Sequence, residues 1–523
     1  MTSAFKQLKK NKNIQMKKYS IFILVISLTM AGCNKSLDTT IYSNLTNANA
    51  FRTKADAIAA VNAVYARLKG PAIGDNFDYW TVRHLALTDL PTDVGHCQYG
   101  GDPGQFSQGQ WNAANGLLAE DWRQIYKLIA NANNAILNIS NMPATAVADD
   151  QKKQFLAEVK FLRAVAYCDL VELWGPVVLI TEADVASADN AAYLSKPMPA
   201  PIERIDSLLI ADLQNSANVL PLNYENSPFY NSNDVGRATK GAALTLLAKL
   251  YLREKNWQKV TDVTKSVMDL NVYSLYPTYA GLFLEGNKWC QENIFSVLSD
   301  ENVNGTELLN HFGPQNHPTL TDRWDYYAVP WDFYHTYSDQ DDRKKMFFTT
   351  FKGSDGLIYT EAPTPGAIAP AGYSYLPDVA TRKYADSLRA NNTYYDGHSV
   401  DILRYADVLL SRAEALNELT PVSAESITLI NMVKDRSHAP LLMAADYNQS
   451  TLRDAILQER GWELFYEGKR RADLIRMDKY DVIENAHLVR TGLPASIVMP
   501  KNKFFTYPQN QVDINPNLSN ADR

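Results

Sequence analysis

Apolar residues recur every three or four positions along several stretches of the chain, which is the pattern of amphipathic helices. The stripes cover residues 57–68, 122–137, 155–174, 202–220 and 452–466. Gly70-Pro71, Gly175-Pro176 and Pro221 follow three of these stripes, and glycine or proline at such a place ends a helix. The pattern therefore predicts a mainly α-helical protein.

Two further stretches predict helix–turn–helix pairs, namely 240–253 with 257–268 and 402–418 with 424–436. In the first pair, small residues such as Ala243 and Ala248 lie where two helices would cross closely, and Tyr251 follows them. This arrangement resembles the tetratricopeptide pattern, whose stacked pairs form scaffolds with extended binding faces. Two unrelated helical hairpins are the alternative.

Two long segments, 71–116 and 270–400, lack a helical or strand period and are rich in glycine and aromatic residues. Within the first, Gly100-Gly101-Asp102-Pro103-Gly104 is predicted to form a turn. Irregular segments of this length are uncommon unless they serve a function. Because a rigid scaffold often carries its binding residues on loops, the ligand face is expected on these two segments.

The first 32 residues have the pattern of a lipoprotein signal peptide. Six lysines precede any acidic residue, and the apolar run Ile21–Met30 is too short to span a bilayer. Met30-Ala31-Gly32-Cys33 resembles a lipobox, although leucine is usual where Met30 stands. Cys33 is therefore expected to carry the lipid and to become the first mature residue. The alternative is an ordinary signal peptide followed by a chance cysteine.

Removal of this segment makes the chain more acidic. Its six lysines leave 45 of the 51 basic residues against all 58 acidic ones, a net charge of −13. Binding to nucleic acid calls for a basic face, so no nucleic-acid partner is expected.

No motif predicts catalysis or a bound metal. The chain lacks HExxH, a phosphate loop and GxSxG, and His96-Cys97 has no second ligand pair at zinc-like spacing. The segment 339–343 begins like a calcium loop, but Arg343 stands where an oxygen ligand is needed. We therefore expect no catalytic residue, no metal and no cofactor.

Charged residues also lie inside the apolar helical stripes, among them Arg163, Arg404 and Glu459. Charges in such positions usually need partners, so these residues are predicted to form ion pairs between helices.

Seven aromatic residues lie within fourteen positions of the second irregular segment: Trp324, Tyr326, Tyr327, Trp331, Phe333, Tyr334 and Tyr337. Aromatic faces stack on the C–H face of a pyranose ring, while polar side chains bind its hydroxyls. A second aromatic patch contains Trp80 and, further on, Trp111-Asn112. The predicted ligand-binding residues are Trp324, Trp331, Tyr327, Trp80, Trp111 and Asn112. The alternative is that most of these rings fill a core beneath the loops.

Short motifs occur along the chain in a characteristic order. They are the lipobox with Leu37-Asp38, Trp122, Tyr126, Ala157-Glu158-Val159-Lys160-Phe161-Leu162-Arg163-Ala164, Leu173-Trp174-Gly175, Gly236-Arg237-Ala238, Arg404-Tyr405-Ala406-Asp407, Glu467-Gly468-Lys469-Arg470 and Asn515-Pro516-Asn517-Leu518. Each motif alone is weakly specific, whereas their order resembles that of the SusD/RagB family, outer-membrane lipoproteins of Bacteroidetes nutrient-uptake systems.

The resemblance implies a mainly α fold in which tetratricopeptide-like helical pairs form a scaffold and long irregular loops carry the ligand face. It implies a signal peptide over 1–32, a SusD-like N-terminal part with the helical-repeat scaffold over 33–300, and a RagB/SusD C-terminal part over 301–523.

The same resemblance implies a function. Family members are non-catalytic, lipid-anchored proteins of the outer membrane that capture oligosaccharides and deliver them to a SusC-like TonB-dependent transporter. A peptide or another nutrient as cargo is one alternative, and stacked rings favour sugars over it. A secreted lipoprotein glycosidase is the other alternative, which turnover would reveal.

Overall fold

The computed structural model describes residues 51–69, 79–186, 197–225, 227, 229–230, 234–303, 305–320, 323–384, 395–490 and 503–521. The helices of this part are α1 (Lys54–Tyr65), α2 (Val82–Thr88), α3 (Gly101–Ser107), α4 (Gly116–Ser140), α5 (Asp149–Trp174), α6 (Glu182–Ala186), α7 (Ile202–Val219), α8 (Lys240–Arg253), α9 (Trp257–Met268), α10 (Tyr279–Leu282), α11 (Leu308–Phe312), α12 (Trp331–Tyr334), α13 (Tyr405–Leu419), α14 (Ala424–Arg436), α15 (Gln449–Leu464), α16 (Arg470–Arg476), α17 (Tyr480–Arg490) and α18 (Gln509–Ile514). The predicted mainly helical class is confirmed.

The strands are short and form small separate sheets. They are β1 (His96–Cys97), β2 (Asn293–Val297), β3 (Tyr327–Ala328), β4 (Phe347–Phe348), β5 (Thr350–Lys352), β6 (Ile358–Glu361), β7 (Tyr373–Leu376), β8 (Ala380–Thr381) and β9 (Val400–Arg404). β1 pairs with β3, β2 with β9 and β4 with β8, while β5, β6 and β7 form a three-stranded sheet. These sheets occupy the segments that lack a helical period.

The long helices pack in succession. α4 packs on α5, α5 on α7, α7 on α8, α8 on α9, α9 on α13, and α13 on both α14 and α15. The faces between them are apolar, as in α5, where Phe155, Phe161 and Leu170 are fully buried. This row of helices is the predicted scaffold.

The predicted pair 240–253 with 257–268 coincides with α8 and α9. Side chains at both helix starts explain the sharp boundaries, because Thr239 accepts from the backbone N–H of Ala242, and Asn256 from that of Lys259. The second pair is confirmed with one correction. α13 starts at Tyr405 instead of residue 402, since residues 400–404 form β9 and pair antiparallel with β2.

The prediction that residues 71–116 are irregular is wrong in part, because α2 and α3 lie within them. The segment predicted as a glycine-rich turn opens α3 at Gly101. Pro103 falls in the first turn of that helix, where a missing backbone N–H breaks no helical hydrogen bond. The Asp102 carboxylate accepts from the backbone N–H of Gly116 (2.8 Å) and so joins α3 to the start of α4.

The predicted ion pairs between helices are confirmed. Arg163 on α5 pairs with Asp212 on α7 (2.7 Å) and also contacts Glu182. Arg343, in the calcium-like segment, is fully buried and pairs with Asp341 (2.7 Å) and Glu459 (2.7 Å).

The largest group of buried charges surrounds the end of α15. Arg404 contacts Glu463 (2.6 Å), Glu467 (2.6 Å) and Glu292 (2.8 Å). Arg343, Arg436, Lys434 and Lys383 complete this ionic core, with contacts to Glu459, Glu463 and Glu467. The ionic core joins residues 270–400, the middle segment of the chain, to the helical scaffold.

Replacement of Arg404 by methionine tests the ionic core. The change keeps an apolar stem but removes one buried cation, so the ionic core is left with one uncompensated negative charge, which costs about 3–5 kcal/mol. Denaturant unfolding should show this loss. Arg453→Met is the control, because Arg453 pairs with Glu418 in a partly exposed position (2.6 Å) and its loss should cost about 0–1 kcal/mol. Equal losses in the two variants would contradict the assigned role.

Candidate ligand-binding site

A short ladder brings the two irregular segments together. β1 and β3 pair antiparallel, with His96 opposite Ala328 and Cys97 opposite Tyr327. The side chains that follow β1 extend this pairing: Gln98 donates to the Asp325 carboxylate (3.2 Å), and the Tyr99 hydroxyl donates to the Trp324 carbonyl (3.1 Å). Residues that are 225 positions apart in sequence thus form one surface.

Tyr466 fixes the ladder to the ionic core. Its hydroxyl donates to the Ala328 carbonyl (2.7 Å) and accepts from the backbone N–H of His96 (3.3 Å). The Asp89 carboxylate in turn accepts from the backbone N–H groups of Tyr466 (3.0 Å) and Gly468 (3.0 Å). Since Tyr466 lies between Glu463 and Glu467, the ladder and the buried charges share one segment.

Four rings lie beside this ladder and form what we call the ring cluster: Tyr99, His311, Trp324 and Tyr326. Tyr99 and Tyr326 stack with centroids 5.2 Å apart and planes 16° apart. The His311 ring packs edge-on against Trp324 (5.0 Å). Tyr99 is 40% exposed, and Trp324 and Tyr326 are half-buried. The cluster therefore presents ring surface to solvent while its rings are held by contacts within the chain.

Amide and carboxyl groups surround the rings. Gln315 donates to the Trp324 carbonyl (2.9 Å) and contacts the Tyr99 hydroxyl. Burial lowers the pKa of His311 to about 4, so its imidazole is neutral at neutral pH. Such a surface offers an apolar face with hydrogen-bonding groups at its margin.

Asp325 stands between the ring cluster and a neighbouring cavity. Its backbone has φ +49°, a left-handed conformation that aspartate and asparagine tolerate better than most residues. Burial raises the pKa of its carboxyl to about 7, the Gln98 hydrogen bond opposes this shift, and the charge of Asp378 adds to it. This carboxyl therefore titrates near neutral pH.

The neighbouring cavity has a volume of about 670 Å³, and we call it the acidic cavity. Its ring-bearing and titratable lining residues are His96, Trp331, Asp332, His335, Glu361, Tyr375 and Asp378. The His96 imidazole contacts Asp378 (2.6 Å), and the His335 imidazole contacts Glu361 (2.8 Å). The half-buried Trp331 stacks on His335 (5.9 Å, 25°) and donates to the Leu376 carbonyl (3.1 Å).

Two predicted site residues are buried. Trp80 is 2% exposed, packs against His84 and donates to Asp169 (2.6 Å). Tyr327 is also 2% exposed, because it lies on the inner face of β3 against Phe312. Neither ring offers a face to a ligand in this structure, so we leave both out of the site proposed below.

Trp111 and Asn112 lie in the loop before α4. Trp111 is half-buried and packs against Phe106 (6.0 Å) and Phe505 (5.2 Å). Asn112 is exposed, and its side chain accepts from the backbone N–H of Ala114 (2.9 Å). Of the predicted residues, Trp324 thus belongs to the ring cluster and Trp331 lines the acidic cavity, whereas Trp111 packs against rings outside both.

The sequence prediction missed Gln98, Tyr99, His311 and Gln315. Gln98 and Tyr99 belong to an irregular segment that was expected to carry ligand residues, yet nothing in the sequence pairs them with residues 324–326. That pairing depends on the ladder between β1 and β3.

The fold and the site together define a helical-repeat protein whose irregular segments present an open aromatic surface. The sequence profile described as "SusD family" matches residues 291–521, and the one described as "Starch-binding associating with outer membrane" matches residues 86–252. The chain belongs to the SusD/RagB family. Within the part that the structure describes, no helix is both long and apolar enough to cross a bilayer.

Two relatives are similar to this chain over most of its length. SusD-like protein P2 from Formosa agariphila is 28% identical over 88% of this chain and 91% of its own. A SusD-like protein from Bacteroides ovatus is 26% identical over 89% and 84%, respectively. The chain is thus similar to these relatives along nearly its whole length.

Solved structures share the fold. A SusD-like carbohydrate-binding protein from Bacteroides fragilis has a TM-score of 0.75 and 21% identity over 90% of this chain and 99% of its own. Surface glycan-binding protein A from Bacteroides thetaiotaomicron, in complex with laminarihexaose, has a TM-score of 0.72 and 20% identity over 90% and 100%. These likenesses establish the SusD-like architecture.

The raised pKa of Asp325 predicts a pH-dependent effect of Asp325→Asn. Below about pH 4 the carboxyl is protonated in both the folded and the unfolded chain, whereas between about pH 4 and pH 7 the unfolded chain ionises first and the folded state loses stability. Asparagine does not titrate and suits the left-handed backbone. The free energy of unfolding of the variant relative to the natural chain should therefore rise by about 1.4 kcal/mol for each pH unit from pH 5 to about pH 7, and level off towards pH 8.

Denaturant unfolding at both pH values measures this effect. The control is Asp262→Asn, since Asp262 is an exposed residue on α9. A pH-independent difference between Asp325→Asn and the natural chain would show that the Asp325 carboxyl does not titrate near neutrality.

Proposed function

We propose that this chain is a non-catalytic, surface-exposed lipoprotein of the outer membrane that captures oligosaccharides and delivers them to a SusC-like TonB-dependent transporter. One observation carries the proposal, namely the open ring cluster bordered by Gln98, Gln315 and Asp325. The family supports it, since one solved relative is named as carbohydrate-binding and another holds laminarihexaose.

The ring cluster suits a sugar because a pyranose has an apolar C–H face and a polar edge. In this proposal the exposed faces of Tyr99, Trp324 and Tyr326 stack on sugar rings, and the side chains of Gln98 and Gln315 bind hydroxyls. Each stacked ring contributes about 0.5–1.5 kcal/mol beyond buried area, by analogy with aromatic pairs. Several rings are therefore needed for micromolar affinity, which corresponds to about −8.2 kcal/mol.

The contacts among the rings favour binding in a second way. The Tyr99–Tyr326 stack and the hydrogen bonds to the Trp324 carbonyl hold these residues before any ligand arrives. Side chains that are already ordered lose less conformational entropy on binding. The ring cluster can therefore bind an oligosaccharide even though it is shallow.

Binding without turnover is part of the proposal. A glycosidase needs two carboxyl groups facing one glycosidic bond, one of them free to act as an acid. In the acidic cavity, Glu361 and Asp378 are each engaged by an imidazole. Oligosaccharides that bind are accordingly expected to be recovered intact.

The anchor and the transporter complete the proposed role. Cys33 lies outside the described residues, and its place in the lipobox supports a lipid anchor. Anchoring at the cell surface would hold the ring cluster near the transporter, so that a weakly bound oligosaccharide is passed on before it diffuses away.

Trp324→Ala tests the binding surface. Titration calorimetry with the oligosaccharides that bind the natural chain should show a weakening of about tenfold or more, since about 1.4 kcal/mol corresponds to one decade. The melting temperature should fall less than that of Trp80→Ala, because removal of a fully buried tryptophan costs about 3–5 kcal/mol. Unchanged affinity of folded Trp324→Ala would remove Trp324 from the site.

Cys33→Ser tests the anchor. Serine cannot receive the lipid through a thioether, and more than one acyl chain is needed for stable anchoring. The variant should therefore leave the outer-membrane fraction and appear as soluble protein, as measured by fractionation and immunoblotting. A Cys33→Ser variant that stays with the membrane after a salt wash would show that another feature anchors the chain.

A further inference from the structure

We propose that the acidic cavity selects the cargo by charge, so that the site takes neutral or amino sugars and excludes anionic ones such as uronate oligosaccharides. This inference rests on the proposed function and adds the class of sugar. Its basis is the set of charged groups around Trp331, together with their partners.

Three carboxylates face or border the cavity, and each has an imidazole as its partner. Asp378 is bound to His96 (2.6 Å), Glu361 to His335 (2.8 Å) and Asp332 to His487 (3.2 Å). With neutral imidazoles the group carries three negative charges. With all three imidazoles protonated, the positive charges only balance the carboxylates. The group therefore has no state with a net positive charge while its carboxylates are ionised.

No lysine or arginine of the described part compensates this charge from the cavity wall. Lys344, on the segment that follows α12, lies over the Tyr334 ring (5.0 Å) and is paired with Asp339 (2.6 Å). Recognition of carboxylate or sulfate groups generally uses arginine or lysine, which form charge-assisted hydrogen bonds. Among the described residues, the cavity wall offers an anionic sugar neither of them.

The acidic cavity and the ring cluster are connected through the ladder between β1 and β3, because His96 lines the cavity and Tyr99 lies two residues after the end of β1. His96 begins the ladder and Tyr99 follows three residues later, so their Cα atoms are at most about 11 Å apart. Asp325 bridges the two, since it accepts from Gln98 and is influenced by the charge of Asp378. An oligosaccharide stacked on the ring cluster would thus lie close to the carboxylates, and its own charge would matter.

The size of the effect follows from Coulomb's law. For two unit charges about 7 Å apart at an effective dielectric constant of about 40, the repulsion lowers affinity roughly tenfold. With neutral imidazoles, two or three carboxylates would then lower the affinity for a uronate by about two decades. A protonated amine is instead attracted by the carboxylates, and it can also contact the Trp331 face through a cation–π interaction.

The experiment compares matched ligands. A panel of neutral, uronate and amino hexasaccharides is titrated calorimetrically into the full mature chain, and every neutral binder is also tested after oxidation of its C6 hydroxymethyl groups to carboxylates. The neutral form should bind at least tenfold more tightly than its oxidised form at low ionic strength. This ratio should shrink in 0.5 M salt, where screening is strong.

Two variants assign the effect to the cavity. Asp378→Asn and Glu361→Gln each remove one charge while keeping a hydrogen-bonding group of the same shape, and each should reduce the preference for the neutral over the oxidised ligand by roughly tenfold. Asp269→Asn, directly after the end of α9, is the control with the same change of net charge and should leave the preference as it was.

The outcomes separate the two proposals. Equal or tighter binding of the oxidised or native uronate ligands would overturn the charge selection and leave sugar binding intact. An unchanged preference in both cavity variants would also overturn it. Failure of every hexasaccharide in the panel to bind would remove the proposed function, and the charge selection with it.

Discussion

The buried carboxylates at the end of α15 impose the main constraint on this structure. Glu463 and Glu467 lie in the protein interior, where an unpaired charge would cost several kcal/mol. Burial by itself raises the pKa of Glu463, yet Arg436 and Arg404 outweigh it and hold that pKa below its ordinary value. The cations that neutralise these groups come from separate parts of the chain, so the ionic core forms only when the middle segment closes onto the scaffold. Tyr466 lies within the same segment and holds the ladder that carries the site.

This arrangement explains how irregular chain can present a defined surface. The ring cluster has little regular structure of its own, and its residues derive their order from a two-residue ladder, a few side-chain hydrogen bonds and the Tyr466 hydroxyl. The acidic cavity adds a charge pattern to this surface, with imidazole–carboxylate pairs around Trp331. A shallow aromatic face with an acidic neighbour is consistent with the uncharged, hydroxyl-rich ligand of the proposed function.

The helices were predictable because the residues that specify each helix lie within it or directly beside it. Apolar periodicity and capping residues are read within one helix, and for this reason α8 and α9 agree with their predicted bounds. The start of α13 was misplaced because β9 is a strand only through its pairing with β2, more than 100 residues earlier. The glycine-rich start of α3 was misread because proline can occupy the first turn of a helix as well as a turn.

The site was predictable only as a region. A dense run of aromatic residues indicated the segment that contributes Trp324 and Tyr326 to the ring cluster, and Trp324 and Trp331 are both half-buried. The run could not separate these rings from Tyr327, which faces inward from β3. Trp80 has an aromatic side chain of the type expected in the site. Its burial and its hydrogen bond to Asp169 depend on the tertiary fold and could not be inferred from the sequence. Likewise, Tyr99 is recognised as part of the site only after the ladder aligns it with Trp324.

Hydrogen exchange with and without a bound neutral hexasaccharide tests the central claim most directly. The claim is that a ring cluster fixed to the ionic core through Tyr466 receives the oligosaccharide. Ligand should slow amide exchange in residues 96–99, 310–316 and 323–335, and leave the scaffold helices α8 and α9 unchanged. Protection confined to another surface, such as that around Trp289, which is 48% exposed, would contradict the account.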